Sequence, residues 1–193
     1  MGPTGNNVVR RNLNFITAIQ YRRMAARTDL EHKASAPTRV GCYVITVSDT
    51  RTEATDTGGR AIIELLTAAG HDVVGRAIVM DDHDLLRDTI GRQLANPAVQ
   101  VIITTGGTGI TSRDSTFEAV SGMLWKRLDG FGELFRMLSY EQIGAAAMLS
   151  RAIAGTVAGR VVVSLPGSEA GVRLALEKLL VPELGHLVRE AGR

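Results

Sequence analysis

A single cysteine, Cys42, excludes a disulfide framework. No apolar run approaches the roughly 20 residues that a membrane-spanning helix needs. His32, His71, His83 and His186 show no metal-ligand spacing, which argues against a zinc site. Aromatic residues make up only 4% of the chain, leaving few platforms for stacking bases. The positive charge is also in the wrong place for nucleic acid. Residues 1–39 carry seven Arg or Lys against two acids, whereas residues 40–193 carry fifteen against eighteen. The pI near 9.0 therefore belongs to the leader, and neither nucleic acid nor membrane is an expected partner. Two familiar glycine motifs are missing as well. Gly109 is followed by Ile110 and Thr111, not by the Lys-Ser/Thr of a nucleotide-binding P-loop, and Gly107-Thr108-Gly109-Ile110-Thr111-Ser112 lacks the third glycine of a dinucleotide fingerprint.

What remains suits one domain of 193 residues with an ordinary hydrophobic content of 45%. Residues 1–38 read as a basic, disordered leader ending in the small-residue linker Ala34–Thr38; an organelle presequence and a later start at Met24 remain open. From residue 39 to 193 the pattern is regular. Strands are expected at 40–47, 72–80 and around 101–105, alternating with helices that Gly70 and Asn96-Pro97 stop. Residues 152–156 and 160–164 read as a hairpin about Gly159, and Pro182 as the end of one helix and the first turn of another. The expected fold is three-layer α/β/α, with a mostly parallel sheet and one antiparallel hairpin strand.

The most informative stretch runs from Val101 to Glu118. A β-branched strand breaks at Gly106, Gly107 and Gly109, then meets Ser115-x-x-Glu118, the pattern of a capping box. The glycines are expected at positive φ, turning N–H groups inward as a nest for phosphate; a plain tight turn is the alternative. Each parallel strand is also followed by acid: Asp49, then Asp81 and Asp82, then Asp114. Parallel strands share one carboxyl edge, so these groups converge beside the loop. Mg²⁺ would make such carboxylates compatible with a phosphate ligand. Asp82 and Asp84 are read as helix caps, Asp81 and Asp114 as functional.

Val47-Ser-Asp-Thr50, Asp56-x-Gly58-Gly59, the Asp81-Asp82 pair, Thr104-Thr-Gly-Gly-Thr-Gly109, Arg113-Asp114-x-Thr116-x-Glu118, Gly130-Phe-Gly-Glu-Leu-Phe-Arg136, Leu149-Ser-Arg151 and Leu165-Pro-Gly-Ser168 together resemble the MoaB/MogA family of molybdenum cofactor biosynthesis. The resemblance spans about residues 40 to 190, and its opening is more like the MoaB branch. One departure is visible: Phe117 stands where the family pattern has Pro.

The resemblance implies a cytoplasmic molybdopterin-binding domain of the MogA/MoaB-like fold. In catalytic members such a domain joins AMP from Mg²⁺-ATP to molybdopterin; the alternative is a non-catalytic molybdopterin-binding or scaffold protein of the same pathway. It further implies Asp81 and Asp114 as catalytic, metal-holding residues. Ser48, Asp49, Gly106, Gly107, Thr108, Gly109, Thr116, Glu118, Arg151, Ser164, Gly167 and Ser168 would bind nucleotide or pterin. Other cofactor-biosynthesis proteins and a homotrimeric or homohexameric assembly are the partners implied.

Overall fold

The computed structural model describes residues 35–193, and Pro37–Arg193 form one compact unit. The expectation of a leader over residues 1–38 falls, apart from its last four residues, outside what is described. Six strands form one sheet in the order β2-β1-β3-β6-β5-β4. Strands β1 (Gly41–Val47), β2 (Asp72–Val79), β3 (Val101–Thr105) and β6 (Arg160–Leu165) are parallel, while β5 (Ile153–Val157) runs antiparallel to β6. The hairpin turns on Ala158 and Gly159, both at positive φ, as a tight two-residue connection between twisted strands requires. An additional two-residue strand, β4 (Lys126–Arg127), pairs antiparallel with β5.

Helices cover both faces, confirming the three layers. Alternation along the strands sends Val44, Ile103 and Val163 to one face, where they pack with Ile62, Leu66, Phe135, Val172 and Leu184. Those partners come from α1 (Thr57–Ala68), α4 (Asp129–Ile143), α5 (Glu169–Ala175) and α6 (Val181–Ala191). Ile45, Ile102 and Val162 point the other way, against Leu86 and Ile90 of α2 (His83–Leu94) and Ala119 and Val120 of α3 (Thr116–Met123). Along α4 the apolar stripe divides. Phe135 is core and stacks on Phe131 at a centroid distance of 6.4 Å, whereas Leu134 is exposed.

Pro182 does not end a helix. A π turn, Leu176–Leu180, joins α5 to α6 in one helical run, with Pro182 in the first turn of α6. The wider turn lies where the proline ring and its missing N–H would otherwise disturb regular α pairing. A 3₁₀ helix, Gly144–Leu149, follows α4.

Candidate functional site

The chain leaves β1 toward the α1 face and leaves β3 toward the α3 face. Between the carboxyl ends of these neighbouring strands lies a crevice, the place where open α/β sheets hold ligands. Gly106 forms its floor. It sits at φ +99°, and a Cβ there would collide with the Val47 carbonyl of β1. Gly107 follows at φ +61°. Only these two of the three loop glycines need positive φ. Gly109 is required for space instead, since a Cβ would stand 2.6 Å from Asp114 Oδ2.

The acids do meet at this loop, each in a different way. Asp81 Oδ1 accepts from the Ser115 amide at 3.3 Å and the Ser115 hydroxyl at 3.1 Å. The expected capping box is therefore absent: Ser115 makes no side-chain cap, because Asp81, distant in sequence, captures it. Asp81 Oδ2 bonds no described residue and lies against the open side of Gly107, 2.6 Å from where a Cβ would be. The Thr116 hydroxyl crowds the same side, fully buried and without a hydrogen-bond partner. Asp49 accepts from the Asp81 amide at 3.2 Å and from Arg113 at 2.6 Å. Asp114 turns into its own loop, accepting from the Thr111 hydroxyl at 2.6 Å and amide at 2.9 Å. The Thr111 hydroxyl, helped by the Thr111 and Gly109 amides and by Arg151, holds the Asp114 carboxyl below its ordinary value. Asp82 caps α2, accepting from the Asp84 and Leu85 amides.

Glu118 receives both terminal nitrogens of Arg151, at 2.6 and 3.0 Å, and this pairing depresses its carboxyl below the ordinary range. Arg151 also donates through Nε to the Thr108 carbonyl at 2.8 Å and lies over the Phe117 ring, 4.5 Å from its centroid. The residue that replaces the family proline thus leaves Glu118 in the first turn of α3 and gives Arg151 a surface to lie on.

The α1 side of the crevice is quieter. Ser168 caps α5, accepting from the Gly171 amide at 3.3 Å, and Gly167 abuts Gly106. Ser48 organises its own turn by accepting from the Thr50 and Arg51 amides. Ser164 lies elsewhere: fully buried and unpartnered, it pairs in register with the equally buried Thr104 on the α2 and α3 face, beneath the crevice. Arg51 was missed by the sequence reading. It donates to the Gly167 carbonyl at 2.9 Å and lies 3.6 Å from Asp56, the buried N-cap of α1, so it ties the β1 and β6 loops together. In the sequence it stood only as the last residue of the Val47-Ser-Asp-Thr-Arg51 opening that resembles the MoaB branch, with no site role given to it.

Comparison with known proteins places this geometry. The family model described as "Probable molybdopterin binding domain" matches residues 43–186. This chain belongs to that family. A relative in Bacillus anthracis called Molybdenum cofactor biosynthesis protein B is 53% identical over 164 residues, 84% of this chain and 97% of the relative. One of the same name in Bacillus subtilis (strain 168) is 48% identical over 161 residues, covering 83% and 95%. A crystal structure of Molybdenum cofactor biosynthesis protein B aligns with TM-score 0.79 at 52% identity, covering 81% of this chain and 98% of that one. The tungsten cofactor synthesizing protein MoaB from Pyrococcus furiosus aligns at 0.74 and 38% identity, covering 82% and 100%. The MoaB/MogA resemblance and the fold it implied both hold. No helix among the described residues of this family member is long and apolar enough to cross a membrane.

Proposed function

We propose that this chain binds molybdopterin and transfers AMP from ATP to the terminal phosphate of that pterin. The observation that carries the reading is the cradle at Gly107. An uncommitted carboxylate oxygen of Asp81 and the orphan hydroxyl of Thr116 face one open side of a positive-φ glycine loop, at the crevice between β1 and β3. An unpaired buried hydroxyl is costly, and a phosphate oxygen in the cradle would satisfy it. Mg²⁺ asks for one or two carboxylates and completes its shell from water and phosphate, so the residues fit it. Asp81 and Asp114 would be the carboxylates that hold the ion, and Mg²⁺ when bound would neutralise phosphate charge. The Gly106–Gly109 loop would take nucleotide phosphate through the Gly107 and Thr108 amides, since those of Gly106 and Gly109 bond Leu165 and Asp114, while Gly167 and Ser168 would border the pterin. A molybdopterin phosphate oxygen attacks the α-phosphorus in line. The new O–P bond forms as the bond to pyrophosphate breaks. No general base is required, because the attacking phosphate is already anionic. Rate acceleration then comes from positioning and from fixed dipoles. We place the protein in the cytoplasm, among other cofactor-biosynthesis proteins. We also propose a homotrimer or homohexamer, supported by the exposed Met137, Tyr140, Ile143, Met148 and Leu149 on α4 and the 3₁₀ helix.

The test is purified protein with molybdopterin, ATP and Mg²⁺, following the adenylylated product. Asp81→Asn is expected to lower transfer by about a hundredfold or more while molybdopterin still binds. Wild-type protein that binds molybdopterin but forms no product would leave a binding or scaffold role in its place.

A further inference from the structure

Between Gly107 and Thr111 the glycine loop is held from within by Asp114, which accepts from the Gly109 amide and from the Thr111 amide and hydroxyl. Its backbone bonds lie at the margins: the Gly106 amide to Leu165, the Thr116 amide to Gly107 and the Asp114 amide to Thr111. Among the described residues, Arg151 is the one side chain from outside the loop that bonds this segment. We propose that Arg151 is a positioning residue: its guanidinium, laid on Phe117 and anchored to Glu118, fixes the Thr108 carbonyl and with it the open shape of the loop. Nε donates to Thr108, both terminal nitrogens donate to Glu118, and one flat face meets the aromatic ring. Only a planar fork makes these contacts together; a lysine ammonium is a point donor. Three of the five guanidinium N–H groups are thereby taken by protein. The strut joins α3 to the segment after the 3₁₀ helix through the loop between them. Its importance for AMP transfer rests on the reading above, but its effect on the loop does not.

The experiment is amide hydrogen exchange on the full chain without ligand, comparing wild type with Arg151→Lys, Arg151→Ala and Phe117→Leu. The reporters are the Gly109, Thr111 and Thr116 amides, with core amides of β3 as controls. Arg151→Lys and Arg151→Ala are expected to speed exchange at the reporters about tenfold, the loss of one charge-assisted bond, with β3 unchanged. Phe117→Leu should give a smaller change at the same amides. Should Arg151→Ala not fold, the other two variants carry the comparison. Reporter exchange equal to wild type in folded Arg151→Lys and Phe117→Leu overturns the proposal. So does an Arg151→Lys variant that loses molybdopterin affinity while its loop exchanges normally, because that is the behaviour of a direct pterin contact.

Discussion

Replacing Gly107 with alanine tests the cradle more directly than any change to its polar groups. Two costs act at this position and can be separated. The first is conformational: at φ +61° an L-residue costs roughly 1–2 kcal/mol that glycine does not. The second is crowding. The added methyl would collide with the Thr116 hydroxyl and stand 2.6 Å from Asp81 Oδ2, so the carboxylate must swing away and surrender its bonds to Ser115. Losing those bonds adds on the order of 1–2 kcal/mol. Gly70 supplies the control, since it sits at φ +82° with nothing within 4 Å of a new Cβ. Gly70→Ala should therefore cost about 1–2 kcal/mol and Gly107→Ala about 2–4 kcal/mol, read as shifts in urea midpoint at constant m. Equal losses in the two variants would mean that Asp81 and Thr116 do not press on Gly107, and the basis for the ligand cradle would go with them.

Three other outcomes follow from described geometry. The carboxyls of Asp114 and Glu118 are held in the fold below their ordinary values of 3.8 and 4.5. Their contribution is complete above those values and lost as pH falls through the lower folded ones. Protection of the Thr111 amide should thus stay flat from about pH 7 to 5 and decline only below about pH 4; a decline beginning near pH 6 would contradict the assignment. Ala158 holds φ +49° at the hairpin turn, so Ala158→Asn should raise stability by about 0.5–1 kcal/mol in thermal or urea unfolding, and a loss would refute the turn geometry. Light scattering at micromolar protein should give a closed oligomer that Met148→Glu weakens, and a wild-type monomer would contradict the proposed assembly.

Strands β1, β3 and β6 were legible in the sequence because each carries a largely buried apolar run rich in β-branched residues, and β2 because Val73-Val74 and Ile78-Val79 flank its less apolar centre. Asp82 and Ser168 were legible as caps because their partners lie two or three residues away. What could not be read depends on groups far apart in the chain. Ser115 and Glu118 spell a capping box, yet Asp81 takes one and Arg151 the other, from 34 and 33 residues away. Lys126 and Arg127 carry no strand propensity; they pair only because the backbone of β5 is beside them. Ser164 was implied as a ligand contact by the resemblance, but β6 is buried on both faces and places its side chain in the interior beneath the crevice. Pro182 reads as a stop wherever only α and coil are considered, and the π turn is a third choice that local sequence does not announce.

The strand order leaves the two rims of the sheet unequally guarded against joining another copy of themselves. At the β4 rim the last strand is two residues long and both side chains are exposed cations, a poor template for a strand from a second molecule. The β2 rim is eight residues long and, among the described residues, pairs with β1 alone. Its centre is interrupted by Gly75 and by Arg76, which is tied to Glu53 at 3.1 Å. Arg76 is therefore the gatekeeper of that rim. Its replacement by an apolar β-branched residue would leave the crevice untouched while turning β2 into a template for aggregation.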